Sequence, residues 1–292
     1  MFKIILFPTD FSVEANTELS CITSIPGIQE IILLHVIRQS VVPRGAQMVE
    51  SLAVQTAEVY LRKAKTFIDS LNPDIRVMLE ETASTDIAGS ILEKAEEHRA
   101  SLIVIHANIK GIMKGVLLDS VSSKVLCRIS TINIMIMSNP LVETLTGRTY
   151  EKFCPMIFSR ILCPTDFSEF SIKTIAFDSS MNRVGEIILL HVVQEAGPDN
   201  EAVKTAELRI RGLCDELTLL GIRSRSIVVT GRPGTEIPRI AEELDVSLIW
   251  MRSPAKGCLH DFFFGSTVHD VAMHSARPVI IIRSGEERAD IT

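Results

Sequence analysis

The chain has 292 residues, of which 23% are charged, and its formal net charge is −6. An acidic balance of this kind disfavours non-specific nucleic-acid binding, which needs an electropositive face. No stretch approaches the ~18 consecutive apolar residues of a membrane-spanning helix, and the N-terminus carries no cleavable signal pattern. The six cysteines form no CxxC pair or Cys/His cluster, which suggests neither a zinc site nor a disulfide framework. We therefore expect a cytoplasmic protein that binds neither nucleic acid nor membrane.

In the first half of the chain, short apolar runs alternate with helical patterns. The runs are rich in β-branched residues and have the length of strands that are buried on both faces. The predicted strands are Lys3–Pro8, Glu30–Val36, Ile75–Leu79, Leu102–His106 and Ile132–Met137. The predicted helices are residues 48–71, Ser84–His98 (with Ser84 or Thr85 as its N-cap) and Asp119–Ile129.

The second half repeats this order of elements. Its predicted strands are Arg160–Pro164, Glu186–Val193, Arg223–Val229, Ser247–Met251 and Pro278–Arg283. Its predicted helices are Glu169–Met181, Ala202–Leu220, Thr235–Leu244 and Ser266–His274. Strand–helix alternation of this kind predicts an α/β fold of the Rossmann-like type, with a doubly wound parallel sheet, right-handed crossovers and helices on both faces.

The two halves are copies of one another. Residues 5–12 (ILFPTDFS) return at 161–168 as ILCPTDFS, and residues 30–36 (EIILLHV) return unchanged at 186–192. The offset between the copies falls from 156 at these strands to 150 if Asp86 is matched with Glu236, and to 146 where Ser120 meets Ser266. The sequence predicts two tandem domains, domain 1 over residues 1–140 and domain 2 over 159–292, joined by a linker over 141–158.

Three segments of each copy should meet at one edge of the sheet. In an open parallel sheet, ligands bind beyond the carboxyl ends of the strands, where the strand order reverses. The first strand ends there in Pro-Thr-Asp, the second ends in His-Val, and the fourth leads through a loop into a helix. The carboxylate can accept hydrogen bonds from an amino group or a ribose hydroxyl, and a helix N-terminus favours phosphate. The pattern therefore predicts a nucleotide site.

These motifs make the chain resemble the universal stress proteins over nearly its whole length, in two domains. The resemblance rests on PTDFS, on LLHV and on the LLGS-type entry into the last helix. In the ATP-binding branch of that family, the fourth strand leads into Gly-x-x-Gly, nine further residues, and Gly-Ser or Gly-Thr. Domain 2 keeps the last of these glycines, whereas domain 1 keeps none. The matching residues are Arg252, Ala255 and Gly265 in domain 2, and His106, Ile109 and Asp119 in domain 1.

The resemblance implies an adenine nucleotide, AMP or ATP, bound mainly by domain 2, with backbone contacts from the valine of the second strand. Asp119 should repel phosphate in domain 1. The pocket offers one clear carboxylate, so Mg²⁺ is conceivable but unsupported. The expected site of domain 2 comprises Pro164, Thr165, Asp166, Val192, Met251, Arg252, Ala255, Lys256, Gly265, Ser266 and Thr267. A weaker second site in domain 1 would comprise Pro8, Thr9, Asp10, Val36 and Ser120.

Several alternatives stay open at the level of sequence. Asp10 and Asp166 could instead cap the following helix, His35 and His191 fit buried strand-end histidines, and Arg252 could be a solvated surface residue. The leading hypothesis is a nucleotide-binding regulatory module of the stress response. A nucleotide-independent interaction scaffold is the alternative, and a slow nucleotide hydrolase is a weaker one. No nucleophile–base pair or metal cluster is identifiable, so no catalytic residue is assigned.

The last strand of each domain should be an edge that needs a partner. Residues 132–138 (INIMIMS) and 278–284 (PVIIIRS) are apolar enough that an exposed edge would favour association. We expect the two strands to pair within one chain as a pseudo-dimer, and we also expect whole chains to form a homo-oligomer.

Overall fold

The computed structural model describes residues 2–38, 47–107, 120–128, 131–138, 142–144, 147–149, 157–168, 184–194, 200–253 and 266–283. Domain 1 contributes five strands and four helices to this part of the chain. The strands are β1 (Ile4–Pro8), β2 (Glu30–Arg38), β3 (Arg76–Ser84), β4 (Leu102–Ala107) and β5 (Asn133–Ser138). The helices are α1 (Val13–Ile22), α2 (Gln47–Leu71), α3 (Ile87–Glu97) and α4 (Ser120–Arg128).

Domain 2 repeats this arrangement after a short antiparallel hairpin in the linker, β6 (Val142–Thr144) and β7 (Gly147–Thr149). Its strands are β8 (Arg160–Pro164), β9 (Glu186–Val193), β10 (Ser224–Thr230), β11 (Leu248–Ser253) and β12 (Val279–Arg283). Its described helices are α5 (Glu201–Leu219), α6 (Pro233–Glu243) and α7 (Ser266–His274). The helix predicted over Glu169–Met181 lies outside the described residues. The sequence did not predict the linker hairpin.

The strands of both domains form one ten-stranded sheet, in the order β3-β2-β1-β4-β5-β12-β11-β8-β9-β10. Within each domain neighbouring strands are parallel, as predicted, whereas β5 and β12 pair antiparallel. The predicted pairing of the two edge strands within one chain is therefore confirmed. The strand order reverses between β1 and β4, and again between β8 and β11, which places a crevice at the carboxyl ends of those strands in each domain.

The β5–β12 pairing has the geometry of a pseudo-two-fold axis. Ile134 lies opposite Ile281, and Met135 lies opposite Ile280. Register with the neighbouring strands, in which Ile103 lies opposite Ile134 and Ile249 lies opposite Val279, makes Ile134 equivalent to Val279 and Met135 equivalent to Ile280. The axis therefore passes through the Met135–Ile280 pair and exchanges the Ile134–Ile281 pair with the Ile136–Val279 pair. All six side chains are 0% exposed. The duplicated chain thus buries inside one molecule an edge contact that a two-chain assembly would share.

Helices cover both faces of the sheet, and strand residues alternate between the two. One face, here the α2/α5 face, packs side chains such as Leu61 and Ile210 against the sheet together with α1. The other, the α3/α6 face, packs Ile91 and Ile237 together with α4 and α7. Because side chains alternate along a strand, the side on which each strand-end residue leaves the sheet can be assigned. No helix among the described residues is long and apolar enough to cross a membrane.

Helix α1 was missed by the sequence patterns. It begins after Ser12, whose Oγ accepts a hydrogen bond from Ala15 N at 3.2 Å. Its buried residues include Glu18 and Cys21 among apolar ones, so the hydrophobic period is weak. The serine N-cap was the available signal.

The predicted N-cap of α3 was wrong. Strand β3 continues to Ser84, beyond its predicted end at Leu79, so neither Ser84 nor Thr85 starts the helix. The N-cap is Asp86, whose Oδ1 accepts from Gly89 N at 3.3 Å. A strand that extends past its apolar run gives no hydrophobic signal for its last residues.

The structure also corrects the match of Asp86 with Glu236. Helices α3 and α6 both have 11 residues, and their N-caps are Asp86 and Arg232. The buried residues Ile91 and Ala95 then match Ile237 and Ala241 at the same offset. The offset of 146 therefore already holds at α3, and the similarity of two acidic residues was misleading.

One cysteine departs from the expectation drawn from spacing. Cys21 is buried and disulfide-bonded, whereas Cys127, Cys163 and Cys214 are free thiols. Pairing depends on which cysteines the fold brings within about 6 Å between Cα atoms, which spacing along the chain does not reveal. Burial also raises the pKa of the Cys163 thiol, which keeps it protonated and is consistent with a packing role.

Candidate functional site

A tight turn follows the carboxyl end of β8, and Asp166 is exposed to solvent in this turn. Thr165 N donates to Leu190 O at 2.9 Å, and Phe167 N donates to Thr165 Oγ1 at 3.0 Å. Ser168 donates to the same carboxylate oxygen, Asp166 Oδ1, from its backbone N at 2.9 Å and from its Oγ at 2.6 Å. The turn therefore fixes the direction of the carboxylate while keeping it at the surface of the crevice.

His191 holds this turn from the neighbouring strand. Its Nδ1 lies 2.8 Å from Thr165 O. A carbonyl oxygen can only accept, so Nδ1 carries the hydrogen in this contact. The ring also packs against Phe167, with 4.3 Å between ring centroids, and Arg209 covers the Phe167 ring at 4.4 Å.

Phe167 adopts a backbone conformation that side chains rarely take, with φ of 62°. A non-glycine residue there is uncommon and needs support from its surroundings. The ring contacts with His191 and Arg209 and the hydrogen bond from Phe167 N supply that support.

Domain 1 builds the same turn. Thr9 N donates to Leu34 O at 2.9 Å, Phe11 N donates to Thr9 Oγ1 at 3.0 Å, and His35 Nδ1 lies 2.8 Å from Thr9 O. Phe11 has φ of 63° and packs on His35 at 4.4 Å. Tyr60, at 5.2 Å from Phe11, occupies the place of Arg209.

The structure shows whether Asp10 caps the helix that follows it, which the sequence left open. Asp10 is not the N-cap of α1, because that position belongs to Ser12. Asp10 Oδ1 instead accepts from Ser12 N at 2.9 Å, and the side chain is exposed. Both aspartate side chains are exposed at the carboxyl ends of their strands.

The remaining predicted residues of the strand ends lie where the sequence placed them. Pro8 and Pro164 end β1 and β8, and Val36 and Val192 follow the two histidines as half-buried residues packed toward the α3/α6 face. Ser120 and Ser266 begin α4 and α7 as predicted, and Thr267 is half-buried. Ala255, Lys256 and Gly265 lie outside the described residues.

Arg252 and Met251 leave β11 on opposite faces of the sheet. Met251 packs with α7 in the core of the α3/α6 face. Arg252 is the next residue along the strand, so its side chain leaves on the α2/α5 face, away from α7. Burial lowers the pKa of its guanidinium. The structure therefore does not bring Arg252 together with the start of α7 on one face.

A different arginine, Arg283, lies on the face of α7. It ends β12 opposite Ser253, is 6% exposed, and donates from Nη1 to Ser253 Oγ at 3.3 Å. Its backbone N donates to Asn133 Oδ1 at 2.9 Å, so domain 1 holds this strand end of domain 2. The sequence did not predict Arg283 as a site residue, because the predicted cations were confined to the fourth strand and the loop that follows it. A charge at the end of an otherwise apolar strand was the available signal.

In domain 1 the position equivalent to Arg252 holds His106. Its Nδ1 lies 2.5 Å from Oε1 of Glu18, which is 0% exposed, and Ser122 Oγ donates to its backbone carbonyl at 2.9 Å. The sequence could not reveal this contact, because Glu18 lies on the helix that was not predicted.

The charges around the two crevices differ at equivalent positions. The buried residues of α2 and α5 align at one constant offset, which pairs Ala57 with Ala206, Leu61 with Ile210 and Ile68 with Leu217. At this offset Tyr60 is equivalent to Arg209. Strand register places Glu81 opposite His35 and Val228 opposite His191. The equivalent pairs, domain 1 first, are Tyr60 and Arg209, Glu81 and Val228, Asp86 and Arg232, His106 and Arg252, and Ser138 and Arg283. Domain 2 is thus arginine-rich where domain 1 is neutral, acidic or histidine-bearing.

No group of three or more histidine, cysteine, aspartate or glutamate side chains that could hold a metal ion occurs within the described ranges.

Comparison with known proteins places this geometry in a family. A universal stress protein of Methanocaldococcus jannaschii is 28% identical over 157 residues, which cover 44% of this chain and 96% of that protein. The Bacillus subtilis universal stress protein YxiE is 27% identical over 148 residues, covering 44% of this chain and all of that protein (100%). A solved universal stress protein from Archaeoglobus fulgidus matches the fold with a TM-score of 0.74 and 22% identity, covering 97% of this chain and 98% of that one. The family model described as the universal stress protein family matches residues 1–131 and 158–283. The chain, with one family repeat in each half, belongs to the universal stress protein family.

Proposed function

We propose that domain 2 binds an adenine nucleotide, AMP or ATP, at the carboxyl ends of β8, β9 and β11, and that its binding state regulates other proteins during stress. The observation that carries the proposal is the charge difference between the two copies. The same turn is built twice, but domain 2 adds Arg209, Arg232, Arg252 and Arg283 at positions that hold no arginine in domain 1. A repeat that has kept its turn and gained cations fits a ligand with phosphate groups.

The nucleoside end of the proposed site is the turn at Asp166. One carboxylate oxygen already accepts two hydrogen bonds from Ser168. A carboxylate has about four lone-pair positions, so it can still accept from an adenine amino group or a ribose hydroxyl. Val192 would contribute backbone contacts to the base, as the resemblance implies.

The phosphate end of the proposed site is the start of α7. Ser266 and Thr267 offer backbone N–H groups and hydroxyls at the positive end of the helix. Arg283 lies on this face of the sheet, so we propose its guanidinium as the cation at this end of the site. Arg252 leaves the sheet on the other face, and its side chain would have to bend around the strand end. Ala255, Lys256 and Gly265 are further proposed members of this end of the site.

The length of the phosphate chain is part of the proposal. Two of the three glycines that let the family backbone wrap a triphosphate are replaced by Arg252 and Ala255. Residues with a Cβ restrict the backbone more than glycine does, so we propose AMP as the better ligand.

The test has two steps. The purified chain is denatured and any released nucleotide is identified, and the stripped protein is then titrated with AMP, ADP and ATP by calorimetry. We expect AMP to be the tightest of the three. If none is released and none binds, the interaction-scaffold alternative is favoured and the proposal is wrong.

The Arg283→Met variant tests the assignment of the phosphate end. We expect it to lower AMP affinity by about tenfold, one charge-assisted contact, and to leave adenosine affinity within twofold. The Arg252→Met variant is the matched comparison, because it removes the same charge from the other face. A larger loss for Arg252→Met than for Arg283→Met would contradict this arrangement.

A further inference from the structure

We infer that domain 1 keeps a nucleoside site of its own, which prefers nucleosides with an uncharged or positively charged 5′ substituent over nucleotides. The inference rests on the proposed function of domain 2, because it takes the shared turn to be the nucleoside-binding part. The juxtaposition that carries it is a closely similar turn surrounded by different charges.

The turn of domain 1 has kept the backbone and histidine hydrogen bonds that position the carboxylate in domain 2, although Ser12 Oγ accepts from Ala15 N and does not repeat the Ser168 Oγ bond to the aspartate. The distance from the histidine Nδ1 to the threonine carbonyl is 2.8 Å in both copies. The serine N to aspartate Oδ1 distance is 2.9 Å in both. Both phenylalanines hold the same left-handed backbone conformation. A turn with this local strain would be free to relax if it served no common purpose.

The side of the crevice next to this turn is acidic in domain 1. Glu81 lies directly opposite His35 on the adjacent strand, where domain 2 has Val228. Burial raises the pKa of Glu81, the electrostatic interaction with His35 opposes that effect, and the nearby carboxylate of Glu58 adds to it. Glu58 is itself paired with Arg62 at 2.5 Å on the same helix. An additional anion at this place would add to the repulsion that Glu81 already experiences.

An aromatic ring replaces the guanidinium above the turn. Tyr60 is 45% exposed and stacks on Phe11, whereas its counterpart Arg209 lies over Phe167. The Tyr60 ring already attracts a cation, since Lys63 Nζ lies 5.5 Å from its centroid. An aromatic face beside carboxylates favours a positively charged group and offers nothing to a phosphate.

At the opposite end of the crevice, the described positions equivalent to the arginines of domain 2 hold other side chains. At the N-terminus of α3, Asp86 takes the place of Arg232, and its hydrogen bond with Arg128 lowers the pKa of the Asp86 carboxyl group. His106 is bonded to the buried Glu18, and Ser138 stands in place of Arg283. Where domain 2 carries the guanidinium of Arg232, domain 1 therefore carries a carboxylate that is paired with Arg128.

The experiment uses the full chain carrying Asp166→Asn, which removes the key carboxylate of domain 2. Three probes are titrated by calorimetry: adenosine, AMP, and S-adenosylmethionine as a nucleoside with a cationic sulfonium. We expect adenosine and the sulfonium nucleoside to bind at least about tenfold more tightly than AMP. Adding Asp10→Asn should abolish this binding, which assigns it to domain 1.

A second variant makes the preference itself testable. Tyr60→Arg with Glu81→Val copies the domain 2 residues into domain 1, and we expect it to narrow the ratio of adenosine to AMP affinity by about tenfold. Equal affinities for adenosine and AMP in the Asp166→Asn chain would overturn the inference, as would the absence of adenosine binding while wild-type protein still binds AMP. If wild-type protein binds no nucleotide at all, the proposed function fails first.

Discussion

At the scale of single residues, the most informative side chains are the two strand-end histidines. Each donates from Nδ1 to the carbonyl of the threonine that precedes the exposed aspartate, and each supports the strained phenylalanine. In the proposed sites they would act on the ligand through the turn and not by contact, as positioning residues. The sequence-based view of them as structural histidines was close, but the sequence could not show which backbone atom they hold.

Two substitutions of His191 separate its hydrogen bond from its bulk. In His191→Asn the amide Nδ2 can replace the Nδ1 donor, whereas in His191→Gln the longer side chain moves the amide away from Thr165 O. We expect AMP affinity to stay within about threefold for the asparagine variant and to fall by about tenfold for the glutamine variant, by calorimetry. Equal losses in both variants would show that ring packing, and not the hydrogen bond, positions Asp166.

The raised pKa of Glu81 predicts a pH-dependent stability effect. An acid whose pKa is higher in the folded state binds its proton more tightly there, so its ionisation costs stability as the pH rises through the unfolded-state value toward the folded-state value. Glu81→Gln, which mimics the protonated form, should therefore raise the free energy of unfolding at pH 7. At a pH below the unfolded-state pKa of Glu81, the variant and the wild type should agree. Urea denaturation at both pH values checks this, and a variant that is less stable at pH 7 would contradict it.

At the scale of elements, the strands were predictable and the helix starts were less so. All ten sheet strands lie where the apolar runs placed them, because strands covered on both faces are nearly continuous apolar segments. Helix α1 escaped because Glu18 and Cys21 interrupt its buried side, and the start of α3 was misplaced because β3 runs on through polar residues. Arg283 was missed for another reason. Its position is fixed partly by Asn133 in the other domain, and a local sequence pattern does not show a contact with so distant a residue.

The antiparallel contact of β5 and β12 should decide whether the two domains stay together. Met135→Lys or Ile281→Lys places a charge at a position that is 0% exposed and has no room for water. We expect each to lower the free energy of unfolding by about 3 kcal/mol or more, and to increase cleavage in limited proteolysis. Leu219→Lys is the matched control, since that side chain is 87% exposed and the same change there should have almost no effect. Unchanged melting and proteolysis of the two buried variants would contradict this role.

At the scale of the whole molecule, the duplication has produced two crevices with one backbone design and different charges. The pseudo-two-fold axis at β5 and β12 relates the turns, but four of the five equivalent positions compared above hold an arginine in domain 2, and none of the five does in domain 1. The family and the α/β fold could be predicted from the repeated motifs. The replacement of Asp86 by Arg232 could not, because Asp86 was matched with Glu236 instead.

The most direct test of one nucleotide site per chain compares the two equivalent aspartates. Stripped wild-type protein, Asp166→Asn and Asp10→Asn are titrated with AMP by calorimetry under one set of conditions. We predict one AMP per chain for the wild type, a loss of at least about tenfold in affinity for Asp166→Asn, and a change of less than twofold for Asp10→Asn. Equal effects of the two substitutions, or two AMP molecules per chain, would contradict the assignment of the nucleotide to domain 2.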